Sequence, residues 1–107
     1  MRFLGLTTCD TCRRALSELR AAGQMPEVID VREGLTPDLA AAILADAGEA
    51  AVNRRSTTWR GLTEAERAGD PAALLAAHPT LLKRPAIEVD GRWSVGWDDA
   101  VRARVLG

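Results

Sequence analysis

Apolar positions change their spacing along this chain, and each change marks an element. Residues 1 to 6 hold Met1, Phe3, Leu4 and Leu6 in a short apolar run, which predicts a strand. From residue 10 to 22 the spacing becomes helical, with Ala15, Leu16, Leu19 and Ala22 on one side and Gly23 as the stop. Beyond Pro26, Glu27–Val31 is again a compact run, with Val28, Ile29 and Val31 apolar, and predicts a second strand. A strand, a helix and a strand of these lengths form a right-handed βαβ unit, so the two strands should run parallel.

From about residue 34 to 80 the pattern is helical and no strand signal interrupts it. Thr36-Pro37-Asp38 reads as an N-cap with proline at the first helical position, and Leu39, Ile43 and Leu44 form one apolar side down to Gly48. Thr63-Glu64-Ala65-Glu66 is a capping box. Asp70-Pro71 opens a further helix with Leu74 and Leu75 inward, and His78-Pro79 ends it, with His78 as a helix C-terminal residue. Strand patterning then returns at Ala86–Val89 and Arg92–Val95. Between them lies Asp90-Gly91, a dipeptide suited to a hairpin turn that needs positive φ at both positions. Trp97-Asp98-Asp99 begins a last helix with Val101, Val105 and Leu106 facing inward, and the three tryptophans, Trp59, Trp93 and Trp97, are assigned to packing.

Composition narrows the picture modestly. At 107 residues the chain reads as one domain, 1–107, large enough to bury a core without staples. It is 47% apolar and 27% charged with a net charge of −1, so bulk electrostatics does not draw it to nucleic acid. No apolar run approaches the length of a membrane span or of a signal peptide, so a cytoplasmic location and no membrane partner are expected.

The chemistry concentrates in Thr8-Cys9-Asp10-Thr11-Cys12-Arg13-Arg14, which holds both cysteines of the protein. The motif falls where the first strand turns into the first helix, placing Cys9 at the helix N-terminus and Cys12 one turn inside on the same face. A helix N-terminus carries about half a positive charge and unpaired N–H groups. Both favour a thiolate at Cys9, which would attack a disulfide while Cys12 resolves the mixed intermediate. A structural zinc needs four ligands; with His78 the sole histidine and no third cysteine, no metal is expected. A C-x-x-C after the first strand and a late hairpin form the plan of the thioredoxin fold. The expectation is therefore an α/β protein with a four-stranded mixed sheet and a helical insertion between strands 2 and 3. Pro85, opening the third strand, stands where that fold places a cis proline facing the cysteines.

Three stretches together resemble the arsenate reductase/Spx (ArsC/Spx/MgsR, YffB-like) family of thioredoxin-fold proteins. They are Thr8-Cys9-Asp10-Thr11-Cys12-Arg13-Arg14-Ala15, Asn53-Arg54-Arg55-Ser56-Thr57-Thr58-Trp59-Arg60-Gly61-Leu62, and His78-Pro79-Thr80-Leu81-Leu82-Lys83-Arg84-Pro85-Ala86-Ile87. The resemblance implies Cys9 as nucleophile, Cys12 as second redox cysteine, and Arg84, just before the proline, facing an oxyanion on sulfur. Substrate contacts fall to Arg13, Arg55, Arg60 and Pro85. It also implies no bound cofactor, with glutathione or a glutaredoxin as co-substrate and a small-molecule or protein disulfide, glutaredoxin or thioredoxin as partner. Where the reductases place two further arginines this chain has Asn53 and Gly96, so little arsenate turnover is expected. The alternative implied by the same family is an Spx-like regulator that docks on the RNA polymerase α subunit, with the cysteine pair as its redox switch and no direct contact with nucleic acid.

Overall fold

Strand β1, Arg2–Gly5, sends Phe3 to one face of a sheet and Leu4 to the other, and both side chains are fully buried. A computed structural model, describing residues 1–106, places β1 parallel to β2 (Glu27–Asp30) and antiparallel to β3 (Ala86–Val89). β3 forms a hairpin with β4 (Arg92–Val95), and the strand order is β2-β1-β3-β4. The mixed, four-stranded sheet is that of the expected thioredoxin-like α/β fold. At the hairpin Asp90 and Gly91 both have positive φ, 51° and 76°, as the turn requires.

Register sorts the strand side chains between the faces. Phe3 pairs with Ile87, and both meet helix α1 (Asp10–Ala21) and helix α7 (Asp99–Leu106) through Cys12, Ala15, Leu19 and Val105. Leu4 pairs with Ala86 and faces the other way, with Trp93, toward the helical middle of the chain. That middle comprises α2 (Val31–Gly34), α3 (Pro37–Ala47), α4 (Thr57–Arg60), α5 (Glu64–Arg67) and α6 (Pro71–Ala77). Ile43, Leu75, Leu81 and Leu82 are its fully buried anchors.

Local capping explains where the helices start. The Thr36 hydroxyl accepts from the Leu39 N–H at 3.2 Å, with Pro37 behind it, and Asp70 accepts from the Ala73 N–H at 3.2 Å, with Pro71 behind it. Both halves of the Thr63–Glu66 capping box are present. One boundary differs from the sequence expectation. β2 stops at Asp30 rather than Val31, because the Asp30 carboxylate accepts the Arg32 N–H at 2.8 Å and caps α2, turning Val31 into the core. On the far side, Asp46 of α3 accepts the Trp93 N–H at 2.9 Å, satisfying a donor on the open edge of β4. Among the described residues no helix is long and apolar enough to cross a membrane.

Candidate active site

The turn after β1 brings the first cysteine to the start of α1. The Cys9 N–H donates to the Leu6 carbonyl at 3.1 Å, and Cys9 itself is the N-cap, with extended backbone. In place of the usual cap oxygen, its Sγ accepts the Cys12 N–H at 3.4 Å. A sulfur held there sits at the positive end of the helix dipole and on a free backbone donor, an arrangement that stabilises negative charge. Cys9 is half-buried, so a substrate sulfur can reach it.

Cys12 is placed differently, although only three residues on. It is 1% exposed, packed among Phe3, Ala15, Leu19, Ile87 and Trp97, and both cysteines are free thiols. Gly5 makes this depth possible: a Cβ at that position would stand 2.8 Å from the Cys12 Sγ and 2.9 Å from Phe3. Burial pushes the Cys12 thiol up to about 12, and the neighbouring Cys9 sulfur adds to the rise. The Leu6 backbone and the positive charge of Arg84 work against it. Cys12 is therefore a protonated thiol beside an accessible one.

The segment before β3 closes the site. The Arg84–Pro85 bond is cis, as expected, and the buried Pro85 accepts the Gly96 N–H at 2.9 Å through its carbonyl. Arg84 is half-buried and close enough for its charge to act on Cys12. Arg13 is exposed and ion-paired with Asp10; it lines a groove with Leu16, Val28 and the Gly5–Thr7 turn. Arg55 lies in a separate hollow with Asn53, Arg54 and Lys83. Arg60 stands exposed at the end of α4, lines neither hollow, and gives its carbonyl to Arg67 at 3.2 Å. The structure thus sets Cys9 and Cys12 side by side with Arg84 near Cys12, places Pro85 just before the β3 residue that pairs with Leu4, sets Arg13 beside the thiol loop, and leaves Arg55 and Arg60 on other surfaces.

Two contributors escaped the sequence reading. Gly5 carries no signal beyond being a glycine that ends a strand just before the C-x-x-C. Lys83, adjacent to Arg84, lies with its Cε 3.1 Å from where a Cβ of Gly96 would be, so the place of the absent side chain at Gly96 is covered by a cation from another segment. A third element steadies α1 from behind. Glu18 accepts from the Trp97 indole N–H and from Arg102 at 2.6 Å, tying α1 to α7, and these bonds hold its carboxyl below the usual range. Among the described residues no group of His, Cys, Asp or Glu could hold a metal.

Comparison with known proteins agrees with the fold. The family model described as the ArsC family matches residues 4–104. An uncharacterized protein of Haemophilus influenzae is 34% identical over 101 residues, spanning 89% of each chain. Among solved structures, one named YFFB (PA3664) protein superposes with a TM-score of 0.89 at 29% identity, covering 98% of this chain and 97% of that one. An arsenate reductase (ArsC) related protein from Brucella melitensis gives a TM-score of 0.74 at 32% identity, covering 96% and 93%.

Proposed function

This chain belongs to the ArsC family, and we propose that it works there as a thiol–disulfide reductase with Cys9 as nucleophile and Cys12 as resolving thiol. The observation that carries this reading is the pair itself: an accessible sulfur capping a helix N-terminus, beside a buried, protonated sulfur one turn inside. In the first step the Cys9 thiolate attacks one sulfur of a disulfide. The new S–S bond forms as the old one breaks, and the leaving thiolate departs with the electron pair. In the second, Cys12 gives up its proton to the departing group or to water and attacks the Cys9 Sγ. The second substrate thiol is released, and the protein is left with a Cys9–Cys12 disulfide. Two electrons have passed to the substrate, and an external thiol must return them. Glutathione, a glutaredoxin or a thioredoxin has the chemistry for it.

Arsenate is a weaker fit as substrate. An oxyanion needs several charge-assisted donors. Near the thiols Arg84 is the aligned one, and where the reductases place further arginines this chain has Asn53, an uncharged donor, and Gly96, which has no side chain. The test is trapping. Cys12→Ser should accumulate a stable mixed disulfide on Cys9 with glutathione disulfide, and Cys9→Ser should form none. Equal trapping by both single variants would overturn the assignment of roles. Capture of the RNA polymerase α subunit by the oxidised protein alone would assign the pair to a regulatory switch instead.

A further inference from the structure

The sheet ends on two edges, and they are finished differently. At the β4 edge Asp46 reaches over and accepts the Trp93 N–H. Among the described residues no hydrogen bond does the same for β2. The Glu27 N–H donates to the Met1 carbonyl at 2.9 Å, so Glu27 and Ile29 turn their backbone groups toward β1. Val28, between them, turns both of its own groups outward. The large apolar side chains left exposed among the described residues gather at this same edge: Met1, Met25 and Val28, at 38%, 82% and 45% exposure. An unpaired strand edge carrying an exposed apolar strip is a template for a further strand.

The free groups on this edge select the strand that fits. The Pro26 carbonyl shares a trans peptide plane with the Glu27 N–H and points the opposite way, to the open side. Pro26 has no N–H to offer. Asp30 turns its N–H outward, but its carbonyl is spent as the N-cap of α2. The edge therefore presents carbonyls at 26 and 28 and N–H groups at 28 and 30. An ordinary antiparallel strand centred on Val28 would leave one of its carbonyls facing Pro26 and one of its N–H groups facing Asp30, both unmatched. A second copy of this chain does not. Its Asp30 falls opposite Pro26 and its Pro26 opposite Asp30, so four bonds form and no group on either edge is left over. Glu27 then stands opposite Ile29, and no like charges face each other across the pair. Charge on the α1 face agrees. Arg20, near the end of α1 and the start of β2, shares a groove of about 580 Å³ with Leu16, Val28, and Asp30 and Glu33 at the far end of β2. A two-fold axis at Val28 exchanges the two ends, bringing Arg20 of each copy to the height of Asp30 and Glu33 of the other.

We propose that the β2 edge is the interface of a homodimer, in which a second copy pairs antiparallel about Val28 and two four-stranded sheets become one continuous sheet. The axis runs normal to the sheet between the two Val28 residues. Both α1 helices then lie on one face, and the exposed strip of Met25 and Val28 is shared between the copies. The contact is isologous and closed: it uses the same edge of both copies and does not propagate. Four backbone bonds and a short apolar strip make an interface below standard size, so association is reversible. Neither thiol takes part, and the proposal stands apart from the thiol–disulfide reading.

Concentration tests it. Sedimentation velocity of the reduced native protein is followed from about 10 μM to about 1 mM, where small interfaces associate. The mass should rise from that of one chain to that of two and stop there. Amide hydrogen exchange, read by NMR over the same range, supplies the register. The Val28 and Asp30 N–H groups should become protected as the dimer forms, while those of Glu27 and Ile29 are protected throughout. Val28→Lys sets two ammonium groups opposite each other on the axis and should weaken association roughly tenfold. Its far-ultraviolet circular dichroism should match that of the native protein; if it does not fold, the exchange pattern of the native chain decides by itself. A protein that stays monomeric at the top of the range overturns the proposal. So does a dimer whose Val28 and Asp30 amides exchange as fast as in the monomer, a folded Val28→Lys that associates as tightly as the native chain, or a mass that grows beyond two copies. Protection of Val28 and Asp30 that comes only with an added Thr/Val strand peptide, and never with protein concentration, would give the edge to a strand of another protein instead.

Discussion

On one face of the sheet Phe3, Ile87, Trp97 and Val105 pack around Cys12; on the other, Leu4, Ala86 and Trp93 pack against aliphatic side chains of the helical middle, with no ionisable group in the buried cluster. The first core is small and has a thiol inside it. The second is larger and inert, and it positions the segments that carry Arg54, Arg55 and Lys83. On the proposed thiol–disulfide reading, packing and chemistry are therefore coupled on the α1/α7 face and separable on the other. A substitution that loosens the first face should change what Cys12 does, whereas one that loosens the second should change only how firmly the molecule holds together.

The largest effect should come from cutting the inert core. Leu75 is fully buried there, and Leu75→Ala should lower unfolding free energy by about 2–5 kcal/mol in denaturant titrations. The reaction of Cys9 with a neutral disulfide, per folded molecule, should not follow. Leu19→Ala, on the Cys12 side, should cost a similar amount and in addition alter how quickly Cys12 resolves the mixed disulfide. If Leu75→Ala slows resolution as much as Leu19→Ala, the two faces are not separable.

Two glycines sharpen the comparison at a smaller scale. A Cβ at Gly5 would press on the Cys12 Sγ at 2.8 Å, and one at Gly34 would press on the Ile29 Cγ2. Each alanine substitution should cost about 1–3 kcal/mol as overpacking. Only Gly5→Ala should lengthen or shorten the lifetime of a glutathione mixed disulfide on Cys9, measured by mass spectrometry after quenching. An unchanged lifetime would show that Cys12 tolerates displacement.

Proton linkage separates the faces again. Folding raises the Cys12 thiol from its ordinary value near 9.0 to about 12, so the neutral form belongs to the native state. That contribution is complete below the unfolded value and is lost as pH rises from about 9 through about 12. The urea midpoint of the native protein should therefore fall over this window more steeply than that of Cys12→Ala. Parallel curves would place the alkaline loss elsewhere.

The smallest effect is acidic. Glu18 is held below the usual carboxylate range first by the Trp97 indole and then by Arg102, so its contribution is present above the unfolded value of about 4.3 and fades as pH falls further. Glu18→Gln should flatten that acid slope and blur the near-ultraviolet circular dichroism of Trp97. An acid slope equal to that of the native protein would mean that the α1–α7 tie adds nothing measurable.

Most of the element map was legible because its signals are local. Pro37 and Pro71 behind their caps, the Thr63–Glu66 box and the Asp90-Gly91 turn act over three or four residues, and each formed as read. The motif at the β1–α1 turn was legible for the same reason, since a three-residue spacing on a helix places Cys9 at the cap and Cys12 inside. Where a local signal competed with a pattern, the reading slipped: Val31 continued an apolar run, but the Asp30 cap ended the strand before it.

What the chain alone determined, then, is which residues pair within a turn of one another and where a thiol meets a helix end. The depth of Cys12 was decided by a glycine seven residues earlier on a different element, because only the packed strand shows how near the helix comes. The separation of Arg55 and Arg60 from the thiol turn, and the meeting of Lys83 with Arg54, were settled by the Val52–Leu82 bridge and its flanking hydrogen bonds, which join segments some thirty residues apart. Periods and caps carry no information over such distances. The register of the sheet and the packing of its two faces do, and they exist only once the chain has folded.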